Sequence, residues 1–127
     1  MKKIGFVTTN RVLAQSLAAS VKEYPDLEFE LFLLLNLKQA IIDAEVMRID
    51  VAIIDLVEDA LKDCEELALF CEMLRQSVPN CRIMLLVPQE SKNDRSTAMN
   101  VVMKKAADDY VFYDVSLDYL LAKLLAL

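Results

Sequence analysis

Asp55 is the carboxylate best placed to do chemistry. It closes Val51-Ala52-Ile53-Ile54, an apolar run of strand length. Thr8-Thr9-Asn10, Val87-Pro88-Gln89 and Tyr113-Asp114 follow or end other apolar runs in the same way. A carboxylate at the end of a buried strand lies at the mouth of a sheet, where it serves a site or caps the turn into the next helix. Both readings stay open for Asp55 on this observation alone. Other chemistries are excluded by composition. The chain has no His, which removes Ser-His-Asp and Cys-His catalysis, His metal sites and phosphohistidine chemistry. It has one Gly, too few for a glycine-rich phosphate loop.

The 127 residues suit one domain, 1–127, and 56% of them are apolar, enough for a real core. A net charge of −6 argues against general nucleic-acid binding, which needs a Lys/Arg excess. Cys64, Cys71 and Cys81 are odd in number and lack C-x-x-C spacing. They read as small buried hydrophobes in a reducing cytosol, not as a disulfide framework or a zinc site. The apolar stretch before Thr8 is too short for a signal peptide, and the longest apolar run, Leu31 to Leu35, is far short of a membrane span. A soluble cytoplasmic protein without membrane contact is expected.

Two hydrophobic periods alternate along the chain. Strand-length runs fall at Ile4–Val7, Leu27–Leu35, Val51–Val57, Ile83–Val87 and Tyr110–Tyr113. Between them lie helical stripes: Val12, Leu13, Leu17 and Val21, then Ala40, Ile41, Ala44 and Met47 with Asn36 as N-cap. Leu61, Cys64, Leu67, Ala68, Cys71 and Leu74 form a third stripe. Ala98, Val101, Val102 and Lys105 mark a fourth helix, and Leu117, Leu120, Leu121 and Leu124 a fifth with Ser116 as N-cap. Five βα repeats predict an α/β fold of three layers, a doubly wound parallel sheet. The third and fourth strands are apolar throughout and should be central. The second alternates, with Glu28 and Glu30 between apolar residues, as an edge strand does. The flavodoxin-like order 2-1-3-4-5 follows, with ligands at the carboxyl ends of the strands.

Three stretches resemble the receiver domain of two-component response regulators, over the whole chain. Asp50-Val51-Ala52-Ile53-Ile54-Asp55 is similar to the family's third strand, whose last Asp is the phosphoacceptor. Ala106-Ala107-Asp108-Asp109-Tyr110-Val111-Phe112 resembles the run into its fifth strand, and Ser116-Leu117-Asp118-Tyr119-Leu120-Leu121 its last helix. The resemblance implies a bacterial signalling domain of the CheY-like type, active in a phosphorelay, with Asp55 as candidate phosphoacceptor.

The same resemblance exposes what this chain lacks. The family's acidic pair after strand one, which binds Mg²⁺, is matched by Thr8 and Thr9. Its Ser or Thr at the end of strand four is matched by Val87, and its Lys at the end of strand five by Tyr113, followed by Asp114. Mg²⁺ prefers charged oxygen ligands, and phosphoryl transfer rests on charge neutralisation. The expectation is a degenerate pseudo-receiver with no catalytic residues, no metal and no cofactor. Glu58-Asp59-Ala60-Leu61 replaces the family's Pro and Gly turn with helix-forming sequence, and Val87 to Ala106 reads about one helical turn long. Tyr110 stands where the family has its switch aromatic. With no hydroxyl at Val87 to trigger a swing, Tyr110 reads as a residue half-buried in its strand.

The fourth helix, fifth strand and fifth helix form the family's usual signalling face. Here it would carry Met99, Val102, Met103, Tyr110, Tyr113, Val115 and Tyr119, beside an unusually leucine-rich last helix. An exposed apolar strip marks a contact with a protein partner or a second copy. One alternative is a working phosphoacceptor whose altered metal site joins Asp55 to Glu58, Asp59 or Asp114 around Mg²⁺. Another is a small-molecule binder at Thr8-Thr9-Asn10-Arg11, a stretch faintly similar to the flavodoxin phosphate loop. No Gly follows it, and no aromatic pair stands ready for a flavin.

Overall fold

Each sequence period becomes the element it dictates. The computed structural model describes residues 2–23, 29–56, 63–88, 90–112 and 117–127, with only the backbone described at Leu117, Asp118, Leu121 and Leu125. The strands are β1 (Lys2–Val7), β2 (Phe29–Leu34), β3 (Val51–Asp55), β4 (Arg82–Val87) and β5 (Asp109–Phe112). They alternate with helices α1 (Arg11–Lys22), α2 (Leu37–Met47), α3 (Cys64–Ser77), α4 (Lys92–Met103) and α5 (Leu117–Ala126). All strand pairs are parallel, and the order is β2-β1-β3-β4-β5. This is the flavodoxin-like topology expected from the alternation.

Successive strand residues face opposite sides, so the sheet makes two cores. Val7, Ala52, Ile54, Ile83, Leu85 and Val87 pack under α2, α3 and α4. Ile4, Phe6, Val51, Ile53, Met84 and Leu86 pack under α1 and α5, where Ala14, Leu120 and Leu124 are buried. Every residue of β3 is buried, which fits its central place, while Glu30 of the edge strand β2 is exposed. Gly5 is where side chains crowd β1: a Cβ there would lie 2.9 Å from Ile49 Cδ1 and 3.0 Å from Leu34 Cδ1.

Side chains fix the ends of the helices. Asn10, Asn36, Asp63 and Ser91 each accept a hydrogen bond from a backbone N–H in the first turn of α1, α2, α3 and α4. At the amino ends of the strands, Lys2 Nζ donates to the carbonyls of Leu124 and Leu127 at 3.1 and 3.0 Å. Lys3 Nζ donates to Met47 O at 3.3 Å, at the end of α2. Asp108 ties β4 to β5. Its carboxylate accepts from Ile83 N at 2.8 Å and from Arg75 Nη2 at 2.5 Å, with Arg82 Nη1 at 3.4 Å.

Several expectations need correction. Val12 is 77% exposed and leaves the core stripe of α1, because one position out of register on a helix turns a side chain to solvent. Lys105 lies beyond α4 with φ 64°, in the left-handed conformation that ends a helix, so it is not on the fourth helix. The second strand is shorter than the apolar run, and Leu35 falls after it. The fifth begins one residue earlier, at Asp109. Leu27, Glu28, Val57, Glu58, Asp59, Ala60, Leu61 and the cap at Ser116 lie outside the described residues.

Candidate functional site

The parallel sheet brings the ends of β1 and β3 side by side, with Val7 paired to Ile54. Thr8 and Asp55 therefore meet at the carboxyl edge. Thr8 Oγ1 donates to Asp55 Oδ2 at 2.7 Å and accepts from Asn10 N at 3.0 Å. Asn10 in turn accepts from Leu13 N at 3.1 Å. The hydroxyl thus links the third strand to the first turn of α1. Both partners are sealed from solvent, Thr8 at 1% exposure and Asp55 at 0%. Leu56 N donates to Leu86 O at 3.0 Å and extends the β3–β4 pairing past the carboxylate.

The expected site residues divide. Thr8 joins Asp55, whereas Thr9 is exposed. Val87 is fully buried and presents no donor. Tyr113, and Asp114 beside it, lie outside the described residues. Mg²⁺ favours several charged oxygens in a strict octahedron. Buried Asp55 with a neutral hydroxyl on one of its oxygens does not fit that demand. Among the described residues no three His, Cys, Asp or Glu side chains come together to hold a metal ion.

The Thr8-Thr9-Asn10-Arg11 segment is consumed by structure. Its hydroxyl serves Asp55 and its Asn side chain caps α1. Cys71 and Cys81 are buried and free, and Cys64 is half-buried. Burial pushes the Cys71 and Cys81 thiols up to about 12, so both stay protonated at neutral pH.

On the expected interaction face, Met99, Met103 and Tyr119 are exposed by 48%, 77% and 49%. Val102 and Tyr110 are half-buried and pack against the core under α4. Tyr110 meets Phe112 edge to face with ring centres 5.8 Å apart. Tyr119 lies 5.8 Å from Lys123 Nζ, which pairs with Asp109 Oδ2 at 2.7 Å. That hydrogen bond is the first cause of the raised Lys123 pKa. Tyr113 and Val115 lie outside the described residues. A second exposed apolar set was missed by the sequence reading: Leu69 and Met73 on α3, Ile42 and Val46 on α2. Each pair is spaced i, i+4 among charged residues, the signal by which it was visible.

The fold and the Asp-ended third strand define the class: the chain has the fold of CheY-like receiver domains of response regulators. A response regulator from Burkholderia pseudomallei, solved with a phosphorylated aspartic acid, calcium ion and citrate, matches with TM-score 0.71 and 22% identity. That match covers 96% of this chain and 65% of that one, so this chain spans about two thirds of the neighbour's length. The chemotaxis protein CheY4 of Vibrio cholerae matches with TM-score 0.74 and 17% identity over 99% and 98% of the two chains. A protein assigned to pilus assembly, CpaE from Burkholderia thailandensis, matches with TM-score 0.71 and 20% identity over the whole of both. At these identities the likeness establishes the fold. No family model and no curated relative matches the sequence.

Proposed function

We propose that this chain is a signalling module of receiver type that works by protein contact, with its phosphorylation chemistry degraded. The observation that carries this reading is the sealed pair at the mouth of the sheet. Asp55 is 0% exposed, and one of its oxygens is held at 2.7 Å by the Thr8 hydroxyl. A phosphoacceptor must present an oxygen to an incoming phosphoryl group, with cations to neutralise the charge that develops. Thr8 stands where the resemblance implies an acid, and Val87 where it implies a hydroxyl.

With no switch of that kind, the output falls to the surface. Met99, Met103 and Tyr119 supply exposed apolar area beside the half-buried Val102 and Tyr110. A protein partner on the face of α4, β5 and α5 follows. Among the described residues no helix is long and apolar enough to cross a membrane. A cytoplasmic, bacterial setting fits the free cysteines and the likeness to response regulators.

The phosphorylated aspartic acid of the Burkholderia pseudomallei neighbour favours a second reading, in which Asp55 accepts a phosphoryl group through an altered metal site. One experiment separates the two. The chain is incubated with acetyl phosphate and Mg²⁺, or with beryllofluoride and Mg²⁺, and followed by intact mass and NMR. An unchanged mass and spectrum are expected. A stable adduct at Asp55 would replace the first reading with the second.

A further inference from the structure

Exposed charge is segregated between two neighbouring helices. The solvent side of α3 carries Glu65, Glu66 and Glu72 and no exposed cation, since Arg75 is half-buried against Asp108. The solvent side of α4 and its end carries Lys92, Lys104 and Lys105 against one exposed acid, Glu90, before the N-cap, while the acid of the helix itself, Asp94, is buried. By contrast α2 mixes both signs, with Lys38, Glu45 and Arg48 exposed. Between the charges each helix shows one apolar i, i+4 pair: Leu69 and Met73 on α3, exposed by 56% and 47%, and Met99 and Met103 on α4. The start of α3, residues 63–66, lies beside residues 93–100 of α4. A groove of about 800 Å³ runs between them, lined by Glu65 and Glu66 on one side and Ser96 and Asn100 on the other.

We propose that α3 and α4 form a self-complementary surface on which a second copy of this chain docks, the acidic helix of each copy against the basic helix of the other. Helices that cross over between parallel strands run in the same direction, so α3 and α4 lie parallel. A two-fold axis parallel to them and between them sets α3 of one copy over α4 of its partner, and the reverse. Glu65 and Glu66 then face the Lys92 end, and Glu72 faces the Lys104 end. Leu69 and Met73 meet Met99 and Met103 at the centre, an apolar middle with a charged rim. A two-fold axis at right angles to the helices would lay α3 on α3, glutamate against glutamate, and is disfavoured by like charge. The charge pattern therefore selects both the occupant and the symmetry. Met99 and Met103 of α4 belong also to the face proposed for a protein partner, but α3 does not, so reversing the charge of α3 tests this inference apart from that one.

The test uses the full chain in sedimentation velocity. One variant reverses α3 (Glu65→Lys, Glu66→Lys, Glu72→Lys) and a second reverses α4 (Lys92→Glu, Lys104→Glu), all at exposed positions. Circular dichroism confirms that each is folded. The parent is expected to sediment as a dimer, each variant alone as a monomer, and an equimolar mixture as a dimer again, because the reversed charges now complement one another. A monomeric parent overturns the proposal. So does a dimer that survives both reversals, or a mixture that stays monomeric. Where one variant fails to fold, Leu69→Lys alone serves: loss of the dimer supports the surface and its retention refutes it.

Discussion

Thr8 shows how one buried hydroxyl can tie a carboxylate to the start of a helix. It accepts from the backbone of Asn10 and so directs its own proton at Asp55. Removing it takes that donor away from a carboxylate oxygen inside the protein. Thr8→Val should cost about 1–3 kcal/mol, read as a lower urea midpoint with an unchanged slope. Asp55→Asn, which keeps an acceptor of the same shape, should cost less than Thr8→Val. The opposite ranking would mean that the carboxylate charge, and not its hydrogen bond, is what the fold needs. The thiols give a pH prediction. Cys71 and Cys81 titrate near 12 when folded, against an ordinary 9.0. The unfolded chain therefore loses these protons first as pH rises. Their contribution to stability is whole below 9.0 and is lost as pH climbs toward 12. Thiol labelling of the native protein should reach half-buried Cys64 well before the other two, and Cys71→Ala, Cys81→Ala should flatten the alkaline loss.

At the scale of elements, the joints between strands matter more than the strands. Asp108 accepts from Ile83 N and two arginines, and its own N–H donates to Ile83 O at 2.9 Å. Asp108→Ala leaves a partly buried N–H and the Arg75 guanidinium without this acceptor. A loss of about 2–3 kcal/mol is expected in a denaturant melt. Element type and order were legible because two periods, near 2 and near 3.6, alternate cleanly from Ile4 to Leu124. The central place of β3 was legible from its unbroken apolar run, and the Asn36 cap from its residue type. Val12 was misread because a helical stripe does not announce its register: Leu13 and Ala14 carry the contact that Val12 was expected to make. Lys105 was misread because a left-handed helix end, usually Gly, is here built without one. At the site, the sequence marked Asp55 and Thr8 but not their bond. That bond depends on the register of two strands 47 residues apart.

At the scale of the whole molecule, buried and exposed apolar side chains are kept apart. Among the described residues, most exposed large apolar side chains sit in i, i+4 pairs on α2, α3 and α4, with Val12 and Tyr119 single, and all lie apart from the two cores. High salt should weaken self-association through α3 and α4 by screening the rim, while contacts through Tyr119 should respond less. The lysine at position 2 adds a geometric consequence. Its ammonium grips the end of α5, so the start of β1 and the end of α5 are held together. A circularly permuted version, joined there by a short glycine-rich bridge and opened at an exposed stretch such as Pro79-Asn80, should refold to the same sheet, and a reporter inserted at the seam would ride on the molecule without disturbing either core.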